Sequence, residues 1–201
     1  ADIDTLCVAP QHVTREDFFT VLPELLNANH RPPVTMITAV ADAYVPVLNL
    51  EIDGICIDLV FARVPGEVAI SDSFDLLSNK MLASLEEKCV LSVNGSRTTD
   101  EILRLVPNVD TFHSALRAIK LWAKRRALYG NSYGYLNGVA CAILTARVCQ
   151  LYPNAAANVI VSRFFTIYLS WNWPNPIYLK PIEENAALGM KVWNPRVNMS
   201  D

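Results

Sequence analysis

Three aspartates occupy positions that packing alone does not explain. Asp2 and Asp4 lie two apart in Ala1-Asp2-Ile3-Asp4-Thr5. On a β-strand, residues two apart leave the same face with Cα atoms about 7 Å from one another, so both carboxylates can converge on one ion. Apolar Leu6, Cys7, Val8 and Ala9 follow, which sets the acids where a buried sheet meets solvent. Two like charges there are unfavourable unless a cation neutralises them. Asp58 is the third, inside Gly54-Ile55-Cys56-Ile57-Asp58-Leu59-Val60-Phe61, an otherwise apolar run. A sheet that brings it beside Asp2 and Asp4 makes an oxygen-only site suited to magnesium or manganese. Two such ions about 3.5–4 Å apart would activate a 3′ hydroxyl and stabilise a leaving pyrophosphate in an in-line displacement. The alternative leaves Asp2 and Asp4 as solvated residues at a terminus and pairs Asp58 with Arg63 or another base.

A second group is cationic. At 100° per residue, Arg117, Lys120 and Lys124 fall within an arc of about 60° on one helix face, opposite an apolar stripe. Such a row suits a triphosphate or an RNA backbone, or it is a solvated surface. Tyr129 beside it is placed to stack on a base or to line a core boundary. Gly130-Asn131-Ser132-Tyr133-Gly134-Tyr135 does not follow a strand, so it reads as a turn between helices rather than a phosphate-binding loop. His12, His30 and His113 share no ligand or nucleophile spacing, and the serines and cysteines lack a neighbouring base.

The elements that must hold these residues change character along the chain. Asp2 to Ala9 reads as a strand, and Thr14-Arg15-Glu16-Asp17 as a capped helix start leading to about Asn27. After His30-Arg31-Pro32-Pro33, Met36 to Leu50 and Ile55 to Arg63 are β-branched runs around an Asp53-Gly54 hairpin turn. Beyond Pro65-Gly66 helical periodicity takes over. Phe112, Ala115, Leu116, Ile119, Trp122 and Ala123 form an amphipathic stripe, and further helices are expected over 136–151 and 156–169. From Trp171 onward the chain reads as ordered loop packed on the helices, because the tryptophans need burial.

With 201 residues, 52% hydrophobic and 18% charged, the chain is globular rather than disordered. A net charge of −3 argues against a protein that coats nucleic acid non-specifically, so RNA contact requires a local patch. Cys7, Cys56, Cys89, Cys141 and Cys149 lack metal or redox spacing and read as buried hydrophobes in a reducing compartment. There is no leader and no apolar stretch near the roughly 18 residues of a membrane span, which predicts a soluble intracellular segment without a membrane partner. Since Asp2 and Asp4 open a strand at the very start, an upstream portion of the fold is expected as well.

Several strings together resemble the eukaryotic, nuclear-type poly(A) polymerase family. Ala1 to Pro10 is similar to its D-x-D strand, Asp53 to Arg63 to its third-carboxylate strand, and Leu91 to Leu103 to the start of its central domain. Leu116 to Arg125, Cys149 to Ala155, Trp173-Pro174-Asn175-Pro176 and Val192 to Asn198 match in order. The resemblance implies an α+β fold. It consists of a DNA polymerase beta-like nucleotidyltransferase domain with a mixed sheet, partial over 1–65, and a mainly helical central domain over 66–201, with ATP held between them. It further implies template-independent addition of AMP from ATP to RNA 3′ ends, as in mRNA polyadenylation. Asp2, Asp4 and Asp58 would bind Mg2+ or Mn2+, and Asp58 would assist deprotonation of the 3′ hydroxyl. Asn94, Lys120 and Tyr129 match positions that contact ribose and triphosphate, while Val47, Gly138 and Val139 match positions lining the nucleotide pocket near the base. A monomer in the nucleus, acting with a 3′-end processing complex, is expected. The family's Gly-Ser triphosphate segment and its RNA-binding domain do not fall within the sequence, so this segment by itself is expected to be inactive. Two other readings are a terminal uridylyltransferase-type relative and a non-catalytic binding module.

Overall fold

The computed structural model describes residues 3–29 and 33–182. Asp53 and Gly54 have φ of 56° and 75°, the pair of positive values that a two-residue type I′ hairpin needs. This turn joins β3 (Val47–Ile52) to β4 (Ile55–Arg63). Pairing runs outward from Ile52↔Ile55 through Asn49↔Asp58 to Val47↔Val60. On one side of this hairpin β2 (Val34–Val40) pairs antiparallel with β3, and on the other β1 (Ile3–Ala9) pairs parallel with β4. The sheet order is β1-β4-β3-β2, a mixed sheet, so the α+β expectation holds. The apolar run 36–50 is two strands rather than one. Pro46 is fully buried just ahead of β3, and a residue with no N–H cannot continue a ladder.

Helix α1 (Arg15–Asn29) starts where the capping signal placed it. Asp17 N donates to Thr14 Oγ1 at 3.1 Å, and Thr14 N donates back to Asp17 Oδ2 at 2.8 Å, a reciprocal capping box. These bonds hold the Asp17 carboxyl below its ordinary value. The helix covers one face of the sheet. Phe18 meets Phe61 with ring centroids 5.0 Å apart, and Ala9, Leu48 and Leu50 complete that core. Strand alternation sends Asp4, Asp58, Asn49 and Val47 to the opposite face.

The chain divides into two compact units, Ala1–Thr99 and Asp100–Asp201. The 65/66 boundary expected from the sequence marks where strands give way to helices, whereas the division by contacts falls at 99/100. Residues after 65 are tied back to the sheet unit by specific bonds. Cys89, on α3 (Glu87–Leu105), is fully buried and its Sγ accepts from Arg15 Nη2 at 3.2 Å and Arg63 N at 3.4 Å. Arg63 pairs with Glu86, and Arg97 reaches the Leu76 carbonyl ahead of α2 (Asn79–Ser84).

In the second unit α4 (Val109–Arg125), α5 (Gly138–Leu151) and α6 (Ala157–Leu169) surround Phe112, Ala115, Ile119, Leu144, Val148, Ile160 and Phe164. The stripe on α4 is as expected at Phe112, Ala115, Ile119 and Ala123. Trp122, however, is 39% exposed and lies edge-on to Phe165. Burial of the later tryptophans is also incomplete. Trp173 is 55% exposed, its indole N–H satisfied by the Tyr168 carbonyl at 3.1 Å, while Trp171 donates to Asn175 O at 2.8 Å. Of the cysteines, Cys89, Cys141 and Cys149 are buried, Cys7 is partly so and Cys56 is exposed. No helix among the described residues is long and apolar enough to cross a membrane. The motif at Val192 to Asn198 lies outside the described residues.

Candidate active site

Asp4 and Asp58 are register partners on parallel β1 and β4. Neighbouring strands lie about 4.8 Å apart, so the two carboxylates leave the same face side by side. Asp2 lies outside the described residues. Asp58 is half-buried and Asp4 exposed. Arg63, offered above as a neutralising partner for Asp58, is engaged by Glu86. Asp58 Oδ1 instead accepts the Asn49 Nδ2 amide at 2.6 Å, and its backbone carbonyl accepts Thr5 Oγ1 at 3.1 Å. The result is a row of polar side chains, Asp4, Asp58 and Asn49, across three strands. Among the described residues no set of three or more metal-ligating side chains converges. The ligand atoms the carboxylates offer are oxygen only, and two adjacent carboxylates, with no cationic partner on Asp58 among the described residues, fit a hard divalent ion such as Mg2+ or Mn2+.

Val47 begins β3 on this same face, two residues before Asn49. Asn94 is exposed on α3 within the same unit. The other four expected nucleotide contacts belong to the second unit, and three of them meet closely. A Cβ built on Gly138 would lie 3.1 Å from Tyr129 Oη and 3.6 Å from Lys120 Nζ, so this first residue of α5 lets the phenol and ammonium approach the helix start. Lys120 Nζ is 6.0 Å and Lys124 Nζ 5.1 Å from the centre of the Tyr129 ring, within or near cation–π range. Tyr129 is held by a bridge to Leu136, with Gly130 N donating to Leu136 O at 3.1 Å. The intervening 3-10 turn at Asn131–Tyr133 fits the expected helix-to-helix turn.

Asn137 caps α5, its Oδ1 accepting Ala140 N at 2.8 Å. Val139 is exposed beside Gly138. First-turn N–H groups of a helix carry partial positive charge, so α5 adds to the field of Lys120 and Lys124. Among the described residues neither lysine pairs with a carboxylate, nor does Arg117, whose Nε donates to the His113 carbonyl at 3.2 Å. Burial raises the Cys141 thiol, with the Lys120 charge partly opposing it, a further mark of how near this lysine lies to α5. Sequence reasoning did not single out Asn49 or the Lys124–Tyr129 contact. The first was encoded in hairpin register, the second in a loop whose path spacing does not reveal.

Comparison with known proteins fits this geometry. The family model of the poly(A) polymerase nucleotidyltransferase domain matches residues 1–106, and that of the poly(A) polymerase central domain matches 111–201. "Poly(A) polymerase pla1" of Schizosaccharomyces pombe is 52% identical over 206 residues, covering 100% of this chain and 35% of the relative. "Nuclear poly(A) polymerase 1" of Arabidopsis thaliana is 48% identical, covering 100% and 28%. "Poly(A) polymerase" of Dictyostelium discoideum is 50% identical over 196 residues, covering 98% and 24%. The chain thus spans a quarter to a third of the length of these relatives. With one domain model covering more than half of it and the other following in order, the chain belongs to the poly(A) polymerase family.

Proposed function

We propose that the protein to which this chain belongs is a template-independent polynucleotide adenylyltransferase that adds AMP from ATP to RNA 3′ ends. The observation that carries this reading is the registration of Asp4 beside Asp58 on adjacent strands, a pairing of like charges that sheet packing alone does not reward. Asp2, Asp4 and Asp58 are the divalent-ion ligands of this reading. When bound, Mg2+ or Mn2+ supplies Lewis-acid stabilisation of charge on the attacking and leaving oxygens. Asp58, anchored through one carboxylate oxygen, accepts the proton of the RNA 3′ hydroxyl. The hydroxyl oxygen then bonds to the α-phosphorus, the bond from that phosphorus to the bridging oxygen breaks, and pyrophosphate leaves with the electron pair. Lys120, Lys124 and the start of α5 offset the negative charge of the triphosphate. Tyr129 and Asn94 orient triphosphate and ribose, while Val47, Gly138 and Val139 shape the space near the base.

Action within an RNA 3′-end processing assembly, as a monomeric enzyme, belongs to the same reading, as does nuclear action, which the name of the Arabidopsis relative supports. The chain spans a quarter to a third of the length of its relatives, and the whole protein is the active species of this reading. Residues 1–201 alone are expected to incorporate little AMP. The test is nucleotide incorporation by the full-length protein, wild type and Asp58→Ala, first with Mg2+ and then with Mn2+. Loss of at least about 100-fold is expected, at or above the upper end of what removing an outer-shell partner costs. Undiminished tailing by Asp58→Ala would sink the catalytic assignment. Competition among the four nucleoside triphosphates at a fixed primer separates adenylyl from uridylyl transfer.

A further inference from the structure

Asn49 takes no part in the site as read from the sequence, yet its side chain is hydrogen-bonded to the proposed metal ligand Asp58. It sits on β3 directly opposite Asp58, and its Nδ2 lies 2.6 Å from Asp58 Oδ1. An ionised carboxylate only accepts, so the amide must present its NH2 group to Asp58. We infer that Asn49 is a positioning residue, whose neutral amide fixes the Asp58 carboxylate for divalent-ion binding. The inference rests on the reading of Asp58 as a metal ligand.

Three features of the row carry it. First, Asp58 is on a strand flanked on both sides. Thr5 Oγ1 of β1 donates to its backbone carbonyl and Asn49 of β3 to its side chain, so main chain and carboxylate are restrained from opposite directions. Second, with Oδ1 engaged, rotation about the last side-chain bond is restricted, and Oδ2 remains for the ion or the hydroxyl proton. Third, the donor is uncharged. A neutral amide orients Asp58 without neutralising it, so its negative charge remains for the divalent ion. Hydrogen-bonded carboxylate ligands owe their orientation to such outer partners, and loss of one typically costs about 10- to 100-fold in metal affinity or activity.

The test uses the full-length protein, with Asn49→Leu as the near-isosteric variant without a donor and Asn49→Val as a second in case the first folds poorly. Mn2+ binding is followed through the electron paramagnetic resonance signal of free Mn2+, with neither RNA nor nucleotide present. The expected result is a dissociation constant raised about 10- to 100-fold, with a Tm within about 4 °C of wild type, as for a substitution outside a packed core. In the tailing assay kcat falls while KM for ATP stays within about twofold, since only the reacting centre is disturbed. Wild-type Mn2+ affinity in both Asn49 variants, alongside its loss in Asp58→Asn, overturns the role of Asn49 alone. Wild-type affinity in Asp58→Asn overturns the metal reading and this inference with it.

Discussion

Gly138→Ala separates a functional glycine from a structural one, because the two roles predict opposite signs. Gly138 is the first residue of α5 and its backbone is not in the left-handed region, so alanine fits the main chain. Replacing glycine at a compatible site stabilises by about 0.4–1 kcal/mol through the unfolded chain. For a unit of about 100 residues, this is roughly +2 to +6 °C in Tm. The new methyl, however, meets Tyr129 Oη at 3.1 Å and Lys120 Nζ at 3.6 Å. The first contact is tighter than van der Waals and must open by about 0.3 Å. If a misplacement of 1 Å costs about 100-fold, 0.3 Å costs about fourfold, taken as linear in free energy. Calorimetry of the full-length variant should show Tm unchanged or raised, while steady-state tailing shows kcat/KM for ATP reduced about fourfold. A rise in Tm with activity intact would refute the assignment of this cluster to the nucleotide. A fall in both would make Gly138 a packing glycine only.

Other expectations concern the scaffold. Asp17→Asn removes a carboxylate held below its ordinary value by the Thr14 bonds. Stability from such a group is present above the unfolded value of 3.8 and lost as pH falls through the lower folded value. Denaturant midpoints of wild type and variant should therefore differ at pH 6 and converge by about pH 2. Cys56 is exposed, whereas burial raises Cys149 to about 11. A thiol reagent at pH 8 should accordingly label Cys56 in the native protein and Cys149 only on unfolding, as peptide mapping would show. Phe164→Ala, in the core of α4 to α6 with Phe165 and Tyr168 edge-on at 5.3 and 5.0 Å, should cost about 3–5 kcal/mol in urea unfolding.

How far the site could be read from sequence depended on how local its geometry was. A two-residue turn at 53–54 puts 52 opposite 55, and counting outward places Asn49 opposite Asp58. That register was latent in the Asp-Gly signal, although the run 36–50 concealed where β3 begins. The β1–β4 pairing joins strands some fifty residues apart with no turn to fix it. Besides the family resemblance, the oddity of acids among apolar neighbours is the sign in the sequence that Asp4 and Asp58 meet. Cys56 is exposed rather than buried because strand parity, not the apolar composition of its run, decides which face it takes. It shares the face of Asp58, away from α1, and stands beside the turn of the hairpin. Lys120, Tyr129 and Gly138 come from a helix, an extended segment and a helix start. Their meeting depends on a loop with positive φ at Ala127, Gly130 and Gly134, which no helical period encodes.

The two faces of the sheet explain why an acid can persist in a strand as apolar as β4. Alternate residues Ile57, Leu59 and Phe61 go to the core under α1, and this burial holds the strand in register. Shifting that register by one residue would turn Asp58 into the core and the apolar residues out, at the cost of burying a charge. The apolar neighbours that make Asp58 look misplaced are therefore what fixes it beside Asp4 and opposite Asn49. Its central position matters for the same reason. An acid on an edge strand has one neighbouring strand to orient it, whereas Asp58 has β1 to supply a second carboxylate and β3 to supply a donor. Hydrophobic patterning and site geometry are thus one constraint, and a substitution that weakens the packing of Leu59 or Phe61 would disturb the carboxylates without touching them.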